Sequence, residues 1–300
     1  MSNKKVSKST MAMFLRTRCD KELYLSLHDK KTMGAAGLPQ PVKRPGIGGL
    51  SSAGNEFEIE RNDQLVRLFP NIIKSDKSSN KYKDLDLETI LTGITIPPCI
   101  ILQGKYSITT NKDLTLRNIG LSSTDVADVP EIADFIPDIL VIRNPRDKDL
   151  EIQKDGSCKA VCYPDEKRFA IEIFDVKHTS EANPSYCSEI AMYALMLSNW
   201  LHHHPTFRDR FYVTTNSYLW TRLKQGDSQL DKLELACGST TEQLLAALVA
   251  DSEDANLRFY LAAVRQFFEN VVKVIRIGDA EQGAWANLEW HVSGTCAACD

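Results

Sequence analysis

The sequence predicts an α/β fold with a central mixed β-sheet flanked by helices, and three observations lead to it. Short apolar or alternating runs bounded by turn residues cluster between positions 99 and 177, as strands do. Longer helical stretches precede and follow that cluster. The chain is 43% hydrophobic and 25% charged, enough apolar material to bury a core beneath a charged surface. Its 300 residues read as one domain, 1–300, with an N-terminal helical segment 1–70 and a C-terminal helical, cysteine-bearing segment 240–300.

The elements follow in order. Residues 11–28 are expected as a helix that buries Met13, Phe14, Leu23, Leu25 and Leu27. Residues 32–52 are rich in Gly and Pro and form a loop. Residues 53–69 form a second helix with Phe57, Leu65, Val66, Leu68 and Phe69 on its apolar face, and the charged stretch 74–86 is an excursion. Strands are expected at 99–103, 106–110, 139–143 and 169–177. A long helix covers 185–202, a strand 210–220, and further helices 241–250 and 257–274.

Composition narrows the function. No apolar run approaches the roughly 20 residues that span a bilayer, and the patch 11–15 is too short for a signal-peptide core, so a cytoplasmic location is expected. A net charge of −4 argues against coating nucleic acid through bulk electrostatics. Positive charge nevertheless gathers at Lys4, Lys5, Lys8, Arg16, Arg18 and Lys21, and again at Lys43 and Arg44. The Gly-rich loop and lysine of a phosphate-binding ATPase motor are absent. Eight cysteines without a secretory signal suggest metal ligands or buried thiols. Cys99, Cys187 and Cys237 suit a core; Cys158 and Cys162 form a C-x3-C in a polar hairpin; Cys296 and Cys299 form a C-x2-C; Cys19 stands alone.

Metal-assisted phosphodiester hydrolysis needs carboxylates to hold divalent cations and a nearby positive group for the developing charge. The run 168–177 offers both. Side chains alternate along a strand, so Asp175 and Lys177 share a face with Ile171 and Ile173, while Glu172, Phe174 and Val176 point the other way. Two other Asp-x-Lys triplets, beginning at Asp29 and Asp165, lie in polar surroundings that suit solvated loops. Upstream, Asp138 follows Pro137 and opens an apolar strand; pairing of the two strands brings Asp138 beside Asp175. On the helix after Lys177, Tyr186, Glu189, Tyr193 and Trp200 share one face.

Pro137-Asp138 followed by Asp175-Val-Lys177 resembles the split motif of the PD-(D/E)XK nucleases. The helix bearing Glu189 and Tyr193 resembles the Gln-x3-Tyr helix of their RecB-like branch, which includes CRISPR-associated and AddB-type exonuclease domains. Gly54-Asn-Glu-Phe-Glu58 resembles that branch's Gly-x3-His element, with Glu58 in place of the histidine. The resemblance implies a restriction-endonuclease-like core and a metal-dependent deoxyribonuclease acting in repair, recombination or anti-phage defence, with DNA and a helicase or defence complex as partners. It implies Mg²⁺ or Mn²⁺ on Asp138, Asp175, Glu58 and the Val176 carbonyl, with Lys177 positioning water and Glu189 and Tyr193 orienting the site or the DNA. Cys19, Cys296 and Cys299 match iron–sulfur members, implying a [4Fe–4S] cluster whose fourth thiolate comes from elsewhere or from sequence beyond Asp300. Zinc on Cys158, Cys162, Cys296 and Cys299 is the alternative. A non-catalytic DNA-binding scaffold and a zinc-stabilised interaction module stand as the rival functions.

Overall fold

The structure, a computed structural model, describes residues 5–28, 34, 47–74, 85–181, 183–222, 227–236, 238–281 and 283–290, with 47–51 described in backbone only. The chain opens with α1 (Lys8–Thr17), where the Ser7 hydroxyl accepts from the Thr10 amide at 3.3 Å, and α2 (Asp20–Ser26). The single helix expected over 11–28 is therefore broken. Arg18 sits in the left-handed region at φ 50 and closes α1 onto the Phe14 carbonyl. The turn lets Met11 and Phe14 on one side, and Leu23, Leu25 and Leu27 on the other, reach one core.

After α3 (Ile47–Leu68) come β1 (Ile72–Ile73), β2 (Leu85–Asp86), α4 (Leu87–Gly93), β3 (Cys99–Leu102) and β4 (Gly104–Lys105). The strand expected at 106–110 does not form. Gln103, in the left-handed region at φ 53, turns the chain; Tyr106 keeps one bridge to Phe135, and Thr109–Asn111 winds into a 3₁₀ turn. Next are α5 (Lys112–Asn118), α6 (Ser123–Asp128), β5 (Ile139–Arg143), the hairpin β6 (Leu150–Ile152) and β7 (Cys158–Ala160), and β8 (Phe169–Val176). Helix α7 (Pro184–His203) starts on a proline at its first turn, and the Asn183 side chain accepts from the Ser185 amide at 2.9 Å. It leads into α8 (Pro205–Arg208). The strand expected at 210–220 is two, β9 (Phe211–Val213) and β10 (Tyr218–Trp220), because the Thr215 amide leaves the ladder to bond Leu150. The chain continues through α9 (Gln229–Ala236), α10 (Thr241–Ala250), β11 (Glu253–Asp254) and α11 (Leu261–Gly278). A 3₁₀ turn at Leu257–Phe259 takes the start of the helix expected at 257–274.

The main sheet is mixed, in the order β1-β3-β5-β8-β10-β11, with β9 also beside β8. Strand β8 lies antiparallel to β5 and parallel to β9 and β10. One face, with Ile101, Leu140, Ile142, Ile171 and Ile173, packs against α1, α2, α7 and α11. The other, with Ile100, Ile139, Val141, Phe174 and Trp220, packs against α3, α9 and α10. Helices thus cover both faces, which is why β8 is apolar on both sides. No helix among the described residues is long and apolar enough to cross a membrane.

Close packing also fixes the N-terminal helices. The Tyr24 ring of α2 lies where a Cβ on Gly278 of α11 would project, and its hydroxyl donates to Asp279 at 2.6 Å. Gly278→Ala should therefore destabilise the protein by roughly 1–3 kcal/mol through overpacking, despite alanine's better helix propensity. Urea unfolding checks this; an unchanged or raised midpoint contradicts it.

Candidate active site

The end of β8 that carries Asp175 is where four elements meet. The register that pairs Ile139 with Phe174 leaves Asp138 just past the ladder, where its Oδ2 accepts from the Val176 amide at 2.8 Å. Asp138 is held from behind as well: its carbonyl accepts from the Gln103 amide at 2.9 Å, and the Tyr193 hydroxyl donates to the Ile136 carbonyl at 2.8 Å. Asp175 is fully buried on the α1 and α7 side of the sheet, with Oδ2 2.5 Å from Lys177 Nζ and Oδ1 3.5 Å from Lys8 Nζ. Glu189, on α7, completes the cluster at 3.4 Å from Lys177 and 3.9 Å from Lys8.

Electrostatics separate the carboxyls. Burial, reinforced by the charge of Asp175, pushes the Asp138 carboxyl up to about 7. Burial also works to raise Asp175, but the ammoniums of Lys177 and Lys8 outweigh it and hold Asp175 below its ordinary value. Burial raises Glu189, with Lys177 opposing and Asp175 adding to the shift. Desolvation opposes the charge on Lys177 and Lys8, yet the surrounding acids leave both raised, so both stay protonated.

Asp138, Asp175, Lys177 and Glu189 thus come together. Glu58 lies at the edge, hydrogen-bonded by the Gln103 side chain and close enough to act on Asp138. Val176 offers Asp138 its amide. Tyr193 is buried, with its ring under Lys8 at 4.6 Å, so it positions the Asp138 loop and Lys8 and has no surface to offer a DNA strand. The aromatic stripe expected on α7 divides: Tyr186 faces Lys177 at 5.4 Å, whereas Trp200 packs against Tyr106 and Phe207 in the core. Sequence reasoning missed two members. Lys8 figured only in an N-terminal basic group, and nothing local ties it to a residue 167 positions away. Gln103 carried no signal except its place at the end of an apolar run.

The cysteines are placed only in part. Cys19 is buried and opens α2, its Sγ accepting from the Glu22 amide at 3.4 Å. Cys296 and Cys299 lie outside the described residues. The Lys21 amide donates to the Glu289 carbonyl at 3.1 Å, which brings the chain at 289 beside α2. Cys158 is half-buried on β7, and Cys162 is exposed.

Among the described residues, no group of three or more His, Cys, Asp or Glu side chains stands arranged to hold a metal ion. Lys8 and Lys177 stand between the carboxylates instead. In this cluster two buried oxygens lack a hydrogen bond: Gln103 Oε1, and Asp175 Oδ2, which meets Lys177 without hydrogen-bond alignment. An all-oxygen donor set with unsatisfied members suits a hard divalent cation such as Mg²⁺ or Mn²⁺ and not a thiophilic one. Comparison of the chain with family models, curated proteins and solved structures finds no match.

A carboxyl raised by burial carries a stability cost once ionised. Asp138 titrates near 7 in the fold and near about 3.9 unfolded, so its contribution to stability declines as pH rises from about 4 to about 7. Asp138→Asn has no proton to lose. In chelator-treated protein its Tm should gain on the parent's between pH 5 and pH 8. Parallel Tm profiles over that range contradict the assignment.

Proposed function

We propose that this chain is a metal-dependent DNA nuclease with a restriction-endonuclease-like core of the RecB-like PD-(D/E)XK type. The observation that carries the reading is the convergence of Asp138, Asp175 and Glu189 with Lys177 at one end of the central sheet. A divalent ion bound there would supply charge neutralisation at phosphate and activation of water. Asp138 and Asp175 would hold it, with Glu58 and the Val176 carbonyl as further ligands. Lys177, in ion-pair contact with Asp175 and Glu189, holds its proton and would present positive charge to the reacting phosphate or its attacking water. Gln103 and Tyr193 position Asp138 without touching substrate.

In this reading DNA is the substrate, a helicase or defence complex supplies any motor, and the protein works in the cytoplasm on repair, recombination or anti-phage defence. A [4Fe–4S] cluster on Cys19, Cys296 and Cys299 belongs to the proposal, supported by the contact between α2 and Glu289. Zinc on Cys158, Cys162, Cys296 and Cys299 is the rival.

The test is cleavage of end-labelled single- and double-stranded DNA by the full chain with Mg²⁺, Mn²⁺ or chelator. Cleavage that needs the metal supports the reading. A second reading, a non-catalytic DNA-binding domain of the same architecture, draws on the two lysines already neutralising the carboxylates. DNA binding with no cleavage under any metal would establish it in place of the first.

A further inference from the structure

Lys8 stands in the cluster by construction and not by the wandering of a surface side chain. The chain before it is pinned: the Val6 amide donates to Glu131 at 2.7 Å, and the Ala133 amide donates to Val6 at 2.8 Å. Ser7 then caps α1, leaving Lys8 as the first residue of the helix. A lysine is disfavoured there, because the helix dipole already concentrates positive charge at its N-terminus. What offsets that penalty is the set of acids it reaches, Asp175 at 3.5 Å and Glu189 at 3.9 Å, with the Tyr193 ring beneath it.

Counting charges shows what this lysine does. Asp138, Asp175, Glu189 and the nearby Glu58 make four carboxylates against the two ammoniums of Lys8 and Lys177. With all four ionised, as a bound cation would hold them, the deficit is two charges, the amount one divalent cation carries. Without Lys8 it would be three, more than one divalent cation offsets.

We propose that Lys8 is a fixed cation that occupies the second cation position of this site, restricting it to one divalent ion and weakening that ion's binding. The inference rests on the metal-site reading of Asp138 and Asp175. Because Lys8 reaches Asp175 from an element separate from the catalytic strand, any movement of α1 would alter metal affinity directly.

The test counts Mn²⁺ bound to the full chain by electron paramagnetic resonance, with calorimetry for affinity. The parent should bind one ion that is lost in Asp175→Asn. Lys8→Met should bind that ion at least about tenfold more tightly, or bind a second one, and Lys8→Arg, which keeps the charge, should behave like the parent. Two ions on the parent, or a folded Lys8→Met with parental count and affinity, overturns the proposal while leaving the metal site standing. Should Lys8→Met not fold, the parent's count and Lys8→Arg still decide: a single ion and parental binding support the proposal, and two ions or a changed Lys8→Arg count overturn it. No Asp175-dependent ion on the parent removes both the proposal and the metal-site reading beneath it.

Discussion

Asp175→Asn is expected to abolish Mg²⁺-dependent cleavage, a loss greater than the roughly 10–100-fold typical of removing a metal's outer-shell partner. The substitution preserves shape and removes the one carboxylate that is fully buried, faces both lysines and holds its charge. The fold should survive it. Lys177 and Lys8 keep about a fifth and a quarter of their side-chain surface in solvent, so both can turn to water once their partner is neutral. Lys167, in the neighbouring Asp-x-Lys triplet, is exposed, and Lys167→Ala should cleave like the parent. Full activity in Asp175→Asn would remove Asp175 from the reaction.

The second large effect lies on the opposite face of β8 and concerns stability alone. Arg143, almost wholly buried, forks onto Asp149 at 2.8 and 2.9 Å and reaches Glu172 at 2.6 Å, while the Tyr212 hydroxyl donates to Asp149 at 2.8 Å. Arg143→Met strands two buried carboxylates. Removing one partner from such a network costs about 3–5 kcal/mol, and Arg146, at 3.5 Å from Glu172, recovers only a part. Burial works to raise the Asp149 carboxyl, but Arg143 holds it below its ordinary value. Its stabilisation is therefore present above the unfolded carboxyl value and is lost as pH falls through the lower, folded one. The deficit of Arg143→Met should accordingly be largest near neutrality and shrink in acid. Denaturant midpoints across pH measure this, and a deficit below about 1 kcal/mol at pH 7 contradicts it.

Asp138 and Asp175 were legible in the sequence, whereas the network of Arg143, Asp149 and Glu172 was not. Strand β5 could be read because its apolar run is unbroken and Pro137-Asp138 marks where it begins. The alternation along β8 assigned Asp175 and Lys177 to one face and Glu172 to the other, and the helices over the two faces keep to that division. Long elements with many buried residues, such as α7 and α10, carry their own signal. Short ones, such as α5 and α6, form because their neighbours bury them, and six or seven residues hold too little periodicity to announce a helix. Arg18 broke an expected helix because tertiary packing favoured two helix directions over one. Lys8 was out of reach for a different reason: its meaning lies in a contact across 167 positions, which only the fold creates.

The central claim is that Asp138 and Asp175 hold a catalytic metal, and anomalous diffraction from crystals soaked in Mn²⁺ tests it most directly. One anomalous peak is expected about 2.0–2.6 Å from an oxygen of each aspartate, with Lys8 still beside Asp175 and Glu189. A peak elsewhere on the protein, with no ion between the aspartates, would contradict it.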